Sequence, residues 1–515
     1  MWKRCYAIAL TACVLGVGAA FFAGGAVRIA NRYTLDYGEG MVWWQSANIT
    51  DFNLVYKPID RYPYTVVQYT PGYHLVTRWA AALSGDWLRS ARLISLAAAL
   101  GWVLVLGAAV YRTLPARVPA LYRIAPAFFG PVLILPLRAM EFTETARVDA
   151  LGLFFSACGL ALFIVSRRLF GQLLACALFV AAVLTKQSLY AAGLACLLAA
   201  LLVRPGRGAV LAGFTVLAAA VPLAYLMAAT HGGFLLNTAT YNLTPVSASR
   251  LVEAWSRNLA QLAPFAAMAL IEAGLVMRYV LRFGAGALRR RLAAAFERSR
   301  FHRATIVLTL MLAFAAVQAL SVAKMGSNYN YFMEFDLACA VLASLFLFRV
   351  LRLAGRARPT PAAAAILLYA LILAATAFPA ALEPLSPSRR AADRSREALY
   401  QRALQLVRQS PGLVYAEDVS LLMAAGKEVP AEAFTATVLV REGRWDETPL
   451  VTMIRERKFD AIVLANLGAE ERFTPGVRAA ILEAYAPGEL VGPEYTFYRP
   501  TEKTEKPPMN TDEHR

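Results

Sequence analysis

Long apolar runs separated by short polar segments dominate residues 1–382 of this 515-residue chain. A helix that crosses a bilayer needs about 20 consecutive apolar residues, with about 17–25 typical. By this rule the pattern predicts about eleven membrane-spanning helices, near residues 6–27, 91–111, 124–137, 150–166, 170–185, 188–203, 208–229, 259–281, 304–323, 332–350 and 361–382. The predicted fold class is an α-helical polytopic membrane protein.

The pattern changes after residue 382, where prolines and a charged run from Arg389 to Arg396 replace the apolar runs. Two short runs read as buried strands, 412–416 and 459–465, and helical patterns follow near 390–409, 447–457 and 475–486. We therefore expect three parts: a transmembrane domain over 1–382, a small soluble α/β domain over 383–500, and a charged, disordered tail over 501–515.

Composition and charge agree with a membrane protein and predict its orientation. Apolar residues make up 58% of the chain and charged residues only 17%, whereas soluble domains carry about 25% charge. The formal charge of +18 does not indicate nucleic-acid binding, because the cations recur in alternate short loops. These loops contain Arg112, Arg117, Arg123, Arg167, Arg168, Arg204, Arg207, Arg289, Arg290, Arg291, Arg298, Arg300, Arg349, Arg352, Arg356 and Arg358. The positive-inside rule then predicts a cytoplasmic N-terminus and an external C-terminal region.

The positions of the cysteines and histidines indicate neither a disulfide-stabilised protein nor a zinc-binding protein. All six cysteines lie in or beside apolar segments, so no disulfide framework is indicated. The four histidines are scattered and show no zinc-binding spacing.

Lys3 and Arg4 precede an apolar run that is long and lacks a clear cleavage site, which predicts an uncleaved first helix.

The unusual loops all belong to the predicted outer face. The first, 28–90, contains Asp36 and Glu39 and mixes aromatic residues with prolines, as in segments that lie along a membrane surface. Within it, residues 73–84 are expected to form an amphipathic helix. The other outer loops supply further ionisable residues: Glu141, Glu144, Arg147 and Asp149 in the second, Lys186 in the third and Lys324 in the fifth.

This set of residue types suits transfer of a group from a lipid-linked phosphate donor to a hydroxyl. A carboxylate such as Asp36 or Glu39 would accept the acceptor's proton, and cations would stabilise the departing phosphate. Both must lie at the membrane edge, because the donor's head group does. Arginine provides 44 of the 52 cations, so Lys186 and Lys324 stand out at this edge.

Each candidate also has a structural interpretation. Arg147 and Asp149 could anchor a helix start, the acids of the second loop could form an ion-paired helix face, and Lys186 could extend its ammonium toward water. Tyr69 and His74 beside Pro71 could line a substrate pocket or only pack. Glu272, inside an apolar run, is expected to pair with an arginine such as Arg278.

The first helix ends in an acidic motif, the first outer loop is long, and many crossings follow. This arrangement resembles the GT-C class of membrane glycosyltransferases, and within it the branch of protein O-mannosyltransferases and bacterial aminoarabinose transferases. More narrowly, five segments resemble those of bacterial members of this class: Asp36-Tyr-Gly-Glu39-Gly, Tyr62-Pro-Tyr-Thr-Val-Val-Gln-Tyr-Thr-Pro71, Arg147-Val-Asp149-Ala-Leu, Leu184-Thr-Lys186-Gln187 and Gly326-Ser-Asn-Tyr-Asn-Tyr331. The likeness spans most of residues 1–350.

The resemblance implies an inverting enzyme of the bacterial inner membrane, with an outward-facing site and a polyprenyl-phosphate sugar donor. The acceptor would be a glycan, lipid or protein. Asp36 would be the base with Glu39 assisting, although relatives often have adjacent acids, so which of the two is the base stays open. No cofactor is expected, and a divalent metal is not favoured. Donor phosphate would contact Arg147, Lys186 and Lys324, and substrate would contact Glu141, Glu144, Asp149, Tyr69 and His74.

Three other functions share some of these features. A transporter or flippase of lipid-linked glycans would need polar, broken helices near the midplane, whereas the ionisable residues here gather at one edge. A glycan polymerase or ligase that uses a lipid pyrophosphate would share the outer cations without needing an acid in the first loop. A non-catalytic assembly subunit is the third alternative.

Overall fold

The computed structural model describes residues 2–281, 285–354 and 359–502. The predicted inside-loop residues Arg356 and Arg358, and most of the predicted tail, lie outside these ranges. Helices form most of the described chain. They are α1 (Trp2–Ile29), α2 (Gly38–Asn48), α3 (Phe52–Val55), α4 (Gly72–Ser84), α5 (Trp87–Thr113), α6 (Leu121–Leu133), α7 (Asp149–Val165), α8 (Leu169–Thr185), α9 (Ala191–Val203), α10 (Pro205–Ala229), α11 (Gly233–Leu235), α12 (Ala248–Leu281), α13 (Ala285–Arg298), α14 (Arg300–Ala319), α15 (Met333–Leu353), α16 (Pro361–Leu382) and α17 (Pro387–Gln409).

Ten of the eleven predicted apolar segments coincide with one of these helices to within a few residues, whereas the segment 259–281 is part of the longer helix α12, which begins at Ala248. Within the described ranges, six helical stretches are long and apolar enough to cross a membrane: Trp2–Ile29, Trp87–Thr113, Pro205–Ala229, Ala248–Arg278, Arg300–Ala323 and Pro361–Gln409. Four shorter apolar helices accompany them. The chain is therefore a mostly helical, multi-pass membrane protein, while the number of crossings and their orientation stay predictions.

Helix α15 lies at the centre of the apolar core. Nearly all of its side chains are buried, and it packs against α6, α12 and α14. Gly130 of α6 allows a close approach, because a Cβ there would collide with the carbonyl of Ala340. Its N–H donates to Ser344 Oγ at 2.9 Å.

An ion pair between helices differs from the sequence expectation. Buried Glu272 of α12 accepts from Arg349 Nε at 2.7 Å, and its partner is therefore not Arg278. Arg349 belongs to the neighbouring helix α15, and sequence spacing within one helix does not reveal such a partner.

Helix α4 confirms the amphipathic helix predicted at 73–84. One face buries Tyr73, His74 and Thr77. The opposite face exposes large apolar side chains, and Trp79 and Leu83 are 75% and 88% accessible. An exposed apolar stripe of this kind is typical of helices that lie in a membrane interface.

The contacts divide the chain into two compact units: Met1–Lys57 with Val67–Arg394, and Pro58–Val66 with the chain from Ser395 onward. The second unit has a four-stranded sheet in the order β1-β2-β4-β3. Its strands are β1 (Leu413–Ala416), β2 (Phe459–Leu464), β3 (Tyr485–Val491) and β4 (Tyr495–Pro500), and its further helices are α18 (Val419–Ala425), α19 (Ala433–Arg441), α20 (Thr448–Arg455) and α21 (Pro475–Ala484). Strands β1 and β2 pair in parallel, and the other pairs are antiparallel.

The sequence predicted β1 and β2 but not β3 and β4. It extended the last helix to residue 486, whereas α21 ends at Ala484. Pro487 and Gly488 follow after two residues, and neither favours a helix interior. The chain instead enters β3 at Tyr485, which pairs with Pro500 of the antiparallel strand β4.

Candidate functional site

Asp36 lies in the turn between α1 and α2, beside the guanidinium of Arg147. Its Oδ2 accepts from the Gly38 N–H at 2.9 Å and lies 3.3 Å from Arg147 Nε. The two side chains are 24% and 15% exposed. Both contacts fall on Oδ2, and within the described part of the chain no hydrogen bond engages Oδ1. One carboxylate oxygen is therefore held in place by the protein.

Arg147 carries its charge in a largely buried position. Burial alone would lower the pKa of this guanidinium, but the negative charges of neighbouring acids, Asp36 foremost, raise it above its ordinary value. Its Cζ also lies 5.4 Å from the centre of the Phe142 ring. Arg147 is therefore a permanent, oriented cation next to Asp36.

Glu39 is placed differently from Asp36. It is fully buried and forms a two-pronged ion pair with Arg92 of α5, with Nε–Oε1 and Nη2–Oε2 distances of 2.9 and 2.6 Å. Its oxygens also accept from the backbone N–H groups of Leu35 and Ala146. Burial alone would raise the pKa of Glu39, but the Arg92 charge and these hydrogen bonds hold it below its ordinary value.

The Glu39–Arg92 pair fixes the shape of the first outer loop. Arg92 Nη1 and Nη2 donate to the carbonyl oxygens of Asn31 and Tyr33, at 2.6 and 2.7 Å. One buried pair thus joins the chain before Asp36, helix α5 and the second outer loop. The Glu39 carboxylate has both oxygens engaged and is not exposed to a substrate.

Glu144 and Glu141, two acids of the second outer loop, are placed differently from Asp36. Glu144 is buried and accepts from Arg28 Nη1, near the end of α1, at 2.8 Å. Burial raises the pKa of Glu144, although Arg28 opposes the shift. Glu141 is exposed in the 3-10 turn Arg138–Thr143.

A second ion pair joins Asp149 to Lys186. Asp149 is the first residue of α7, and Lys186 directly follows α8. Each charge lies at the helix end that favours it electrostatically. Asp149 Oδ1 accepts from Lys186 Nζ and, at 2.9 Å, from Asn330 Nδ2. Within the described residues, the buried Oδ2 atom of Asp149 has no hydrogen-bond partner.

The fifth outer loop adds an aromatic ring and another cation to this pair. Lys186 Nζ lies 5.4 Å, and Lys324 Nζ 5.9 Å, from the centre of the Tyr331 ring. Lys324 also donates to Asn242 Oδ1 at 3.2 Å. Burial lowers the pKa of Lys324.

Tyr69 is influenced by charges of both ion pairs. Its side chain is half-buried, and burial raises the pKa of its hydroxyl. Arg147 opposes that shift, while Asp149, Tyr331 and Asp36 add to it. The hydroxyl therefore lies within electrostatic reach of both the Asp36–Arg147 pair and Asp149. The residues that act on this hydroxyl come from three outer loops, the first, the second and the fifth.

His74 lies apart from this cluster. It is fully buried between α2 and α4, and its Nδ1 lies 3.1 Å from Ser46 Oγ. Burial lowers its pKa to about 3. A neutral, enclosed imidazole of this kind packs two helices together and does not face a substrate.

Three residues of this region were not singled out from the sequence as site residues: Arg92, Asn330 and Tyr331. A signal existed for Arg92, since an arginine near the start of an apolar helix is costly unless it is paired. Asn330 and Tyr331 belong to a segment that the sequence did mark, but the sequence did not reveal their partners.

Acids of the outer loops are engaged by cations of the protein. No group of three or more His, Cys, Asp or Glu side chains that could hold a metal occurs in the described parts of the chain. Asp36, Glu39, Glu144 and Asp149 each contact a cation of the protein instead.

Comparison with known proteins establishes the fold. No protein-family model matches the chain, and no curated protein is similar to it in sequence. Among solved structures, the chain resembles ArnT from Cupriavidus metallidurans in the apo state, with a TM-score of 0.59, 14% identity, and coverage of 95% of this chain and 97% of that chain. The same protein bound to undecaprenyl phosphate gives a TM-score of 0.58 at 13% identity, covering 97% and 98%.

The oligosaccharyltransferase of Archaeoglobus fulgidus in its apo form is also similar, with a TM-score of 0.52 and 12% identity. It covers 89% of this chain and 69% of that chain. ArnT and this enzyme are GT-C glycosyltransferases. The resemblance to the GT-C class that the sequence motifs indicated is thus confirmed at the level of the fold.

Proposed function

We propose that this protein is an inverting glycosyltransferase of the bacterial inner membrane. It would move a sugar from a polyprenyl-phosphate donor to an acceptor hydroxyl at the outer face. The observation that carries the proposal is the pair of ion pairs Asp36–Arg147 and Asp149–Lys186, of which Asp36, Arg147 and Asp149 lie within electrostatic reach of the Tyr69 hydroxyl. A structure with the same fold holds undecaprenyl phosphate, which is a polyprenyl phosphate, and this supports the donor class.

The outward orientation follows from the positions of the charges along α7. Asp149 begins this helix, whereas Arg167 and Arg168 follow its last residue, Val165. The proposed site and an arginine-rich loop therefore lie at opposite ends of one apolar helix. Because arginine-rich loops face the cytoplasm, the site would face outward.

Asp36 supplies the base in this proposal. Its Oδ1 accepts the proton of the acceptor hydroxyl as the acceptor oxygen bonds to the anomeric carbon. The bond from that carbon to the phosphate oxygen breaks, and polyprenyl phosphate leaves. A single displacement from the opposite side inverts the configuration. The contacts of Oδ2 with Gly38 and Arg147 keep the carboxylate aimed during this step.

Arg147 and Lys186 stabilise the negative charge that develops on the leaving phosphate. A cation that is already oriented needs little reorganisation as charge develops, which is why such groups contribute strongly to catalysis. Asp149, which also accepts a hydrogen bond from Asn330, holds the Lys186 ammonium beside the Tyr331 ring. Lys324, on the same ring, lies near enough to assist at the donor's head group.

Glu39 has a positioning role in this proposal, and Asp36 alone acts as base. Glu39 is enclosed and bonded through both oxygens, so no acceptor hydroxyl reaches it. By the same reasoning His74 and Glu144 support the loops. Exposed Glu141 remains a candidate for acceptor contact.

Replacing Lys186 by methionine should lower transfer by about 10²–10³-fold, the usual effect of losing one donor that stabilises a developing oxyanion. Lys186→Arg should retain part of the activity, because it keeps the charge. Initial rates with a labelled polyprenyl-phosphate sugar would measure this. Lys458→Met, which removes an exposed lysine of the second unit, is the matched control. Equal rates for both methionine variants would exclude Lys186 from the phosphate site.

Gly38→Ala should lower transfer by about tenfold, because a small misplacement of catalytic groups can cost up to about 10²-fold. A Cβ at residue 38 would collide with the Arg147 guanidinium and touch Asp36 Oδ2. Gly213→Ala, within α10 where a Cβ meets no other atom and the backbone is helical, is a control without such a collision. Full activity in Gly38→Ala would show that the position of Arg147 does not matter for transfer.

A reconstitution experiment distinguishes transfer from transport. The purified protein is placed in vesicles with a radiolabelled polyprenyl-phosphate sugar and a mixture of candidate acceptor lipids and glycans. An enzyme forms a new labelled product and releases polyprenyl phosphate. Movement of intact donor between leaflets without product would contradict the proposal and favour a flippase.

A further inference from the structure

A basic cavity lies at the end of the helix bundle away from Asp149. It has a volume of about 140 Å³ and is formed where α7 gives way to α8, where α9 gives way to α10, and where α13 gives way to α14. Helix α7 has 17 residues, and at 1.5 Å per residue it separates this cavity from Asp149 by about 25 Å. The cavity is therefore distinct from the proposed transfer site.

Four guanidinium groups and one carboxylate line this cavity. They belong to Arg167, Arg204, Arg207, Arg303 and Glu297. Glu297 already contacts two of the arginines, since its Oε1 is 3.2 Å from Arg204 Nε and its Oε2 is 3.8 Å from Arg303 Nη2. One negative charge does not balance four positive charges. The lining therefore has a net charge that an anion would neutralise.

Several of these arginines are fixed by the protein and not merely solvated. Arg303 donates to the carbonyls of Ile164 and Ser166 at the end of α7, at 3.3 and 3.2 Å. Arg207 donates to the Arg167 carbonyl, and Arg167 donates to the Glu297 carbonyl, both at 2.9 Å. Such contacts hold the guanidinium groups at a common cavity before any ligand arrives.

Two buried polar atoms at the cavity have no hydrogen-bond partner among the described residues. They are Oε1 of Gln172, a residue 5% exposed, and Nε of Arg303, a residue 1% exposed. Buried polar atoms in folded proteins almost always have partners. An acceptor and a donor left unpaired in the same lining match a ligand that has both anionic oxygens and a hydroxyl.

We propose that this cavity binds a phosphate monoester group. Phosphate oxygens match the planar fork of an arginine, and several forks around one cavity favour a doubly charged group over chloride. Basic pockets between membrane helices on the cytoplasmic side are known to bind anionic lipid head groups. Soluble phosphate compounds present the same anionic oxygens as a lipid head group. The experiment therefore compares a lipid with a soluble phosphate.

The test uses the full-length protein in neutral detergent and measures its thermal unfolding midpoint during titration. The probes are dioctanoyl phosphatidic acid, dioctanoyl phosphatidylcholine and inorganic phosphate. The variant is Arg204→Ala with Arg207→Ala, and the control is Arg168→Ala, an exposed arginine of the same end that does not line the cavity. The native protein, the double variant and the control all keep the proposed outer site. Binding at the cavity is therefore measured by how much less the unfolding midpoint shifts in the double variant than in the other two proteins.

Phosphatidic acid should stabilise the native protein, with an affinity that falls about tenfold or more in the double variant, as expected from the loss of two phosphate-binding arginines. Arg168→Ala should bind as the native protein does, and phosphatidylcholine should have no effect. The same loss with inorganic phosphate would identify a soluble ligand, whereas a loss confined to phosphatidic acid would identify a lipid. If the double variant does not fold, Arg207→Ala alone provides the comparison. Equal affinity in variant, control and native protein would overturn the proposal.

Discussion

Replacing Asp36 by asparagine should abolish sugar transfer, lowering its rate by about 10²–10⁴-fold, the range that general-base catalysis contributes. The amide can still accept from the Gly38 N–H, so the turn before α2 should be retained. It cannot take the proton of the acceptor hydroxyl. The measurement is the initial rate with a polyprenyl-phosphate sugar, together with the unfolding midpoint of the same protein.

Asp60→Asn is the matched control for this variant. Asp60 is an exposed carboxylate later in the first outer loop, and its replacement causes the same change in charge. It should transfer sugar at the native rate. Native transfer by Asp36→Asn would refute the assignment of Asp36 as the base.

Replacing Glu39 by alanine should destabilise the protein strongly, by about 3–5 kcal/mol, because it leaves the buried Arg92 charge without its partner. The variant also removes the acceptors for the N–H groups of Leu35 and Ala146. Thermal unfolding in detergent would measure the change. Glu141→Ala, an exposed acid of the second loop, should change stability by no more than about 0.5 kcal/mol.

The acidity of Glu39 adds a pH dependence to the same prediction. Its pKa is lower in the folded protein than its ordinary value. The unfolded chain therefore binds the proton more readily than the folded protein does. The stability from the Glu39–Arg92 pair is present above the ordinary carboxyl pKa of about 4.3 and is lost as the pH falls through the lower folded value.

Glu39→Gln distinguishes positioning from catalysis. If Glu39 only positions the loop, this variant should lose stability and activity together. The double variant with Glu39→Leu and Arg92→Met should then recover part of the stability, because no unpaired buried charge remains. A stable Glu39→Gln protein that has lost transfer would instead make Glu39 the base.

The sequence predicted the helical fold well, because a bilayer helix must satisfy its backbone internally and present apolar side chains. That requirement leaves a long, continuous signal. Strands β3 and β4 left no such signal. In β3 only Tyr485 and Val491, at the two ends, are buried, so hydrophobic alternation is absent. The pairing of β3 with β4 depends on the turn between these two strands and on the contact of β4 with β2.

The candidate site could be predicted only in part. The sequence identified Asp36, Arg147 and Lys186 as unusual, because ionisable residues beside apolar runs are costly. It did not identify which charge pairs with which. Glu39 and Arg92 lie 53 positions apart in the chain, and Asp149 and Asn330 lie 181 positions apart. Tertiary packing, which local sequence does not encode, selects such partners.

A structure of the protein with bound polyprenyl phosphate would test the central claim most directly. The account predicts density for the phosphate within hydrogen-bonding distance of Arg147 and Lys186, about 2.7–3.2 Å, on the side of Tyr69 that faces Asp36. A phosphate bound elsewhere, with Arg147 and Lys186 still occupied only by Asp36 and Asp149, would contradict it.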